Sequence, residues 1–218
     1  MTKCLLLLTL VAGATRAFSL SKQITFDCRE LGPGATQTYV DTFPVKSKFA
    51  SQVLVSVDAS NTGTEKAPKC HVKWTISGKL AGRTKVLFQH EISPQHNSNG
   101  GEFGGASADG TKLLFDFFDV VNDRTSHRPA VFDFLTGAWE VRDLGDRLTH
   151  DFPNCNYFTM IDRVTDEGDV VLSVPKSIYV RQGCPDRGEW LLHMKTDEIT
   201  RLAKPDAQPP QTKTPSQH

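Results

Sequence analysis

A pattern of short apolar runs occurs three times along the chain at intervals of about 59 residues, a spacing typical of repeated structural units. The first runs of the three copies are residues 53–57, 112–115 and 170–173. The second runs follow in step at residues 71–74, 130–133 and 190–193. We therefore expect one β-rich supersecondary unit to be used three times, over residues of about 45–91, 100–144 and 157–202.

The residues between these runs predict turns rather than helices. Clusters of Gly, Asn, Asp and Pro separate the runs, and no long stretch combines helical periodicity with capping residues. Turn dipeptides lie between predicted strands at Asp109-Gly110, Thr136-Gly137 and Glu167-Gly168, where glycine can adopt a positive φ. The sequence therefore predicts a single all-β domain with little helix.

Two segments of the second copy, residues 107–115 and 131–144, resemble the blade repeat of secreted TolB-type β-propellers. The third copy resembles it over 165–172 and 192–202, and the first copy shares only the spacing and the hydrophobic pattern. In that family Asp-Gly marks the turn between the first and second strands of a blade, and Thr-Gly marks the hairpin between the third and fourth. The resemblance implies three propeller-like antiparallel sheets in an incomplete propeller, because closed propellers have about four to eight blades. A β-sandwich and a larger ring of several chains are the alternatives.

The chain is also similar to small, uncharacterised exported proteins of soil bacteria. This resemblance is carried by residues 70–74 and by Cys184 followed by residues 187–190. It implies export and brings no activity with it.

Residues 1–17 have the form of a secretory signal peptide. Lys3 precedes an apolar run that is too short to span a bilayer, and small residues allow cleavage after Ala14 or Ala17. We expect the mature chain to be secreted or periplasmic. Residues 18–203 are predicted to form the β domain, and residues 204–218, rich in Pro, Gln and Thr, a disordered tail.

Removal of the leader leaves four cysteines, and an even number in an exported chain predicts two disulfides. The four are Cys28, Cys70, Cys155 and Cys184. We favour Cys155–Cys184, because both flank strands of the third copy, and by elimination Cys28–Cys70. The second bond would hold a predicted strand at residues 24–28 against an edge of the first copy. A zinc site is the alternative, but the chain has no Cys-x-x-Cys pair.

The charge of the mature chain is close to neutral. Loss of Lys3 and Arg16 lowers the count of Lys and Arg from 25 to 23, against 25 Asp and Glu, which gives a formal charge of about −2. Such a balance argues against nucleic acid or an anionic membrane as the natural partner.

No recognisable catalytic set is present in the sequence. A Gly-x-Ser-x-Gly nucleophile turn is absent, and the nearest approach, residues 105–109, lacks the second glycine. The histidines are scattered, so no third ligand can be named for a metal near His90 and His96. His71 and His193 fall on corresponding strands, and we expect both to form local hydrogen bonds. We predict no catalytic, cofactor or metal residues.

Two groups of residues favour a glycan-active protein as an alternative. Candidate carboxylates for glycoside hydrolysis fall in two acidic clusters, one of Asp116 with Asp119 and one of Asp162, Asp166 and Glu167 with Asp169. The cluster 162–169 also has the composition of an incomplete calcium loop. Trp74, Trp139 and Trp190 each lie in the hairpin part of a copy, where core packing is expected and a sugar-stacking platform is the alternative.

These observations lead to two hypotheses about function. The first is a non-catalytic binding or scaffold module of the cell envelope, with a protein or a glycan as partner. The second is a secreted glycan-binding or glycan-hydrolysing protein. We also expect a monomer, with its sheet edges covered by the amino-terminal strand and by a proline-containing loop.

Overall fold

The structure is a computed structural model that describes residues 23–27, 30–80, 82–92, 98–121, 124–152, 160–174 and 184–202. The predicted signal peptide and tail, His96, Cys28 and Cys155 lie outside these residues. The strands are β1 (Gln23–Asp27), β2 (Thr36–Pro44), β3 (Gln52–Asn61), β4 (Cys70–Leu80), β5 (Arg83–Ile92), β6 (Ser98–Ala106), β7 (Lys112–Val121), β8 (Arg124–Asp133), β9 (Ala138–Val141), β10 (Met160–Val164), β11 (Val170–Val174), β12 (Gly188–His193) and β13 (Glu198–Arg201). Helix α1 (Leu144–Asp151) lies between β9 and β10.

The strands form three antiparallel sheets, each built around four consecutive strands. The first sheet has the order β2-β3-β4-β5, the second β1-β6-β7-β8-β9 and the third β10-β11-β12-β13. A four-stranded antiparallel sheet is also the size of one propeller blade. The prediction of an all-β fold with three antiparallel sheets is confirmed.

The predicted turns connect consecutive strands of the sheets. Asp109-Gly110 joins β6 to β7, and Thr136-Gly137 joins β8 to β9. The φ angles of Gly110, Gly137 and Gly168 are 72°, 72° and 96°, a region that side chains with a Cβ rarely adopt. The apolar runs of the sequence lie on β3, β7 and β11 and on β4, β8 and β12.

Two apolar cores arrange the sheets as a stack with the second sheet in the centre. The first core joins buried residues of the first sheet, such as Val55 and Trp74, to Phe115 of β7. The second core joins Leu114 of β7 to Leu172 and Leu192 of the third sheet. Because side chains alternate between the two faces of a strand, β7 supplies the first core with Leu113, Phe115 and Phe117 and the second core with Leu114.

A glycine on β6 allows the first and second sheets to approach closely. A Cβ on Gly101 would lie 2.6 Å from Phe115 and 2.9 Å from Trp74, both of which are fully buried. We expect Gly101→Ala to lower the free energy of unfolding by about 1–3 kcal/mol through overpacking. Urea denaturation measures this change. Gly32→Ala is the control, since a Cβ there meets nothing within 4 Å; equal effects of the two variants would contradict the packing argument.

The position of the amino-terminal strand differs from the prediction. β1 pairs with β6 of the second sheet, with Gln23 opposite Glu102, and so the expectation that it covers an edge of the first sheet was wrong. Glycines explain the difference, because a Cβ on Gly100 would lie 2.7 Å from the carbonyl oxygen of Ile24. The close approach lets Ile24, which is 4% exposed, join the first core.

Helix α1 packs against β8 after β9 has ended. β9 pairs with β8 only as far as Ala130, and the Arg142 N–H then donates to the Pro129 carbonyl (3.1 Å). Asp143 caps the helix by accepting from the Asp146 N–H (3.0 Å), and Leu144 is buried in the second core. In the described part of the chain, no helix is long and apolar enough to cross a membrane.

Candidate functional sites

The turns at one end of the stack are joined by hydrogen bonds between neighbouring sheets. The Ser47 hydroxyl donates to the Gly110 carbonyl (2.5 Å), and the Asp109 N–H donates to Oδ1 of Asp166 (2.9 Å). Hydrogen bonds from the Ser107 hydroxyl and from the Thr111 N–H and hydroxyl lower the pKa of Asp109 to about 2. Asp166, a candidate catalytic carboxylate, therefore serves to align the second and third sheets.

A buried carboxylate and an imidazole form a pair in the second sheet. Oδ2 of Asp116 lies 2.6 Å from Nδ1 of His127, and Asp116 is 3% exposed. Burial raises the pKa of Asp116, and the negative charge of Glu102, its neighbour on β6, acts in the same direction. An imidazole oriented by a carboxylate can accept or donate a proton. Asp119 was the expected partner of Asp116, and its side chain lies outside the described residues.

The raised pKa of Asp116 predicts a pH dependence of stability. Because the fold favours the protonated carboxyl, the contribution of Asp116 is greatest below its ordinary pKa of 3.8 and is lost as the pH rises toward the folded pKa. Asp116→Asn stays neutral, so we expect its stability relative to wild type to increase from about pH 4 to about pH 7. Urea midpoints of the two proteins, measured in pairs at each pH, provide the test.

Asp133→Asn is the matched control for this titration. Burial acts to raise the pKa of Asp133, but hydrogen bonds from Lys112 and from the Leu135 N–H, together with the Lys112 charge, outweigh it and lower the pKa. Stability from Asp133 is therefore present above pH 3.8 and is lost below it. The relative stability of Asp133→Asn should fall between about pH 3 and about pH 5. If the stabilities of both variants relative to wild type changed in the same direction as the pH rises, the argument from burial of the Asp116 carboxylate would be contradicted.

A second carboxylate–histidine pair lies on the third sheet and ends at a hydroxyl. Nδ1 of His193 is 2.9 Å from Oδ2 of Asp169, and Nε2 is 3.0 Å from Oγ1 of Thr200. A carboxylate, an imidazole and a hydroxyl follow one another in the same order in the catalytic triads of serine hydrolases. Thr200, however, lies on the regular strand β13, opposite Leu191, whereas such nucleophiles usually lie on a strained, exposed turn. Asp169 also accepts from the Met194 N–H (3.0 Å), so the network closes the β12–β13 hairpin.

The histidine expectations have different outcomes. The predicted local hydrogen bonds of His193 are confirmed, whereas Thr200 was not singled out in the sequence, because its contact depends on the register of β12 and β13. His71 lies on β4, and its Nε2 is 3.7 Å from Oε2 of Glu91, an ion-pair distance. Among the residues that the structure describes, no group of three or more His, Cys, Asp or Glu is arranged to hold a metal ion.

The three tryptophans pack against the cores. Trp74 is fully buried, in edge-to-face contact with Phe115 and Phe117. The indole N–H of Trp139 donates to the Leu87 carbonyl of the first sheet (2.9 Å). The indole N–H of Trp190 donates to the Asp186 carbonyl (2.9 Å), and its half-buried ring packs against the second core. Core packing is therefore confirmed for Trp74, and the other two rings are anchored rather than free.

Asp162 and the two described cysteines are not part of either carboxylate–histidine pair. Asp162 pairs with Arg163, which also contacts Glu189 (3.1 Å). Cys70 and Cys184 are both disulfide-bonded. Their predicted partners Cys28 and Cys155 lie outside the described residues, and so the pairing stays a prediction.

Comparisons of the chain with protein-family models, with curated proteins and with solved structures found no match. The resemblance to TolB-type blades therefore rests on the sequence motifs alone.

Proposed function

We propose that the protein is an extracytoplasmic, non-catalytic binding or scaffold module. The observation that carries this proposal is the use of candidate catalytic and sugar-stacking residues in structural contacts. Asp166 aligns two sheets, Asp169 closes a hairpin through His193, and Trp74 fills the first core. Side chains engaged in this way stabilise a rigid frame, and a rigid frame is what a binding surface requires.

The outer face of the first sheet supports the proposal, because it is long and mostly polar, with Val40 and Val86 as exposed apolar residues. The Thr38 hydroxyl donates to Asp58 (2.8 Å), and Lys73 lies 3.4 Å from Glu91 across neighbouring strands. Its longest strand, β4, has 11 residues, which corresponds to about 36 Å. A polar outer face is typical of the terminal unit of a stack and favours a monomer.

A secreted glycan-binding or glycan-hydrolysing protein is the second candidate. The Asp116–His127 pair favours it, because a buried carboxylate with a shifted pKa beside a histidine is common at catalytic sites. Binding without cleavage would agree with both the proposed module and the glycan-binding form of this alternative.

The test compares binding with turnover in the mature protein. We expect capture of a defined partner from envelope extracts, identified by mass measurement of the native particle, with no new reducing ends when the protein is incubated with neutral and acidic polysaccharides. Cleavage of a polysaccharide that Asp116→Asn or His193→Ala abolishes, while each variant keeps the folded circular-dichroism spectrum of the wild type at the temperature of the assay, would overturn the proposal.

A further inference from the structure

The charge of the chain is distributed unevenly between the sheets. Residues 36–92, which contain the first sheet, carry eight Lys and Arg and four Asp and Glu. Residues 98–202, which contain most of the second sheet and all of the third, carry eleven Lys and Arg and eighteen Asp and Glu. A mature chain with a formal charge of about −2 therefore contains a basic first sheet beside an acidic remainder.

The basic side chains of the first sheet concentrate at one of its ends. Five exposed cations, here called the basic tip, lie there: Lys46, Lys48, Lys79, Arg83 and Lys85. The Ser51 N–H donates to the Lys79 carbonyl (3.2 Å), which places the β2–β3 turn beside the β4–β5 hairpin. Residues 42–57 and 66–90, which surround the tip in sequence, contain no Asp or Glu.

The basic tip differs from the paired cations of the second and third sheets and of helix α1. Those cations have carboxylate partners, in Lys112–Asp133 (3.0 Å), Arg201–Asp186 (2.8 Å) and Arg147–Asp151 (2.8 Å). Within the described residues, the five cations of the tip form no such ion pair. Unneutralised like charges repel one another, so a cluster of this kind is favoured when an anionic ligand supplies the missing charge.

The tip is held on a rigid support. Ala50 is 2% exposed, and the Phe49 ring stacks on Phe134 of the second sheet with centroids 5.4 Å apart. The Ser47 hydroxyl also donates a hydrogen bond to the Gly110 carbonyl. Arg83 and Lys85 are two residues apart on β5, so their Cα atoms lie about 7 Å apart. The backbone positions of the cations are therefore fixed before a ligand binds, so that only their side chains have to be ordered on binding.

We propose that the basic tip binds a linear polysaccharide that carries carboxylate or sulfate groups. Four of the five cations are lysines, which bind anionic groups as point charges rather than through the bidentate geometry of arginine. Proteins that bind single-stranded nucleic acid stack bases on aromatic rings, and Phe49, the aromatic residue within the turn, is already stacked on Phe134. The acidic remainder of the chain disfavours approach to an anionic membrane.

This inference rests on the proposed binding function, and a charge-reversal experiment separates the two. Binding of the mature protein to dextran sulfate and to polygalacturonate is measured by calorimetry at several salt concentrations, with neutral dextran as the reference. We expect Arg83→Glu/Lys85→Glu to raise the Kd roughly tenfold and to reduce the dependence of log K on log salt by about one to two, because two charge contacts are lost. Dextran sulfate and polygalacturonate distinguish a sulfated from a carboxylated ligand.

Lys66→Glu/Lys69→Glu is the matched control. Both lysines are exposed in the loop at the opposite end of the first sheet, and their reversal changes the net charge by the same amount. We expect the control to change the Kd less than about threefold, with both variants melting at the wild-type temperature. Equal losses in the two variants, absence of polyanion binding by the wild type, or tighter binding to DNA or anionic vesicles would overturn the inference. If the protein binds an uncharged partner and no polyanion, the inference of an anionic polysaccharide ligand is wrong, but the proposal of a binding module still stands.

Discussion

Truncation of Trp74 to alanine is expected to lower the free energy of unfolding by about 3–5 kcal/mol. The ring lies at the centre of the first core, with centroids 5.7 Å from those of both Phe115 and Phe117. Removing it leaves a cavity between two sheets whose backbones are fixed by cross-strand hydrogen bonds, so the site cannot collapse fully. Since small domains are stable by only about 5–15 kcal/mol, this loss approaches the limit for folding. The urea midpoint, measured with the disulfides intact, reports the change.

Trp190→Ala is the matched control, because this ring also lies on the third strand of its sheet. It is half-buried and packs beside the second core rather than within it. We expect it to cost less than Trp74→Ala by at least about 1 kcal/mol. A Trp74→Ala variant as stable as Trp190→Ala would mean that the first and second sheets do not depend on the central ring.

Replacement of Leu192 by alanine is expected to cost about 2–5 kcal/mol and to loosen the third sheet selectively. Leu192 is 0% exposed and lies in the second core together with Leu114 and Leu172. In a stack each layer is stabilised by its neighbours, and so the terminal layer should lose hydrogen-exchange protection before the other two. Amides of β11 and β12 are the probes for this loss, with those of β3 and β4 as the reference.

Leu191→Ala is the matched control, because it makes the same substitution at the neighbouring position. Its side chain points to the opposite face of β12 and is partly exposed. We expect Leu191→Ala to cost less than Leu192→Ala, with no selective exchange in the third sheet. Uniform loss of protection across all three sheets in Leu192→Ala would show that the stack unfolds as one unit.

Local chemistry allowed the strands and turns of this fold to be predicted from the sequence. Gly110 and Gly137 marked turns because of their conformational freedom, and the apolar run at residues 112–115 marked a strand. The partner of β1 could not be predicted in this way. Its pairing with β6 depends on small residues about 75 positions away, a contact that no local pattern encodes.

The candidate sites were less accessible to sequence reasoning, for a related reason. Asp116 and Asp169 were singled out as acidic residues, but their histidine partners are set by strand register, which places His127 opposite Phe118 and Asp169 beside the end of β12. The basic tip was missed because its five cations come from two segments that only the pairing of β3 with β4 brings together. The absence of acidic residues from 42–57 and 66–90 was the signal that could have revealed it.

The pairing of β1 with β6 also determines the order in which the chain can fold. Gln23 lies opposite Glu102, so the loop between the paired strands contains the whole of the first sheet. A chain that is synthesised or exported from its amino terminus must therefore present residues 23–27 without a partner until residues 98–106 have emerged. Closing a loop of this length is entropically costly unless the first sheet has already formed and shortened the path. We therefore expect β1 to dock late, after β2–β5 have paired, and to give β1 amides a slower folding phase than β3 amides in pulse-labelled hydrogen exchange.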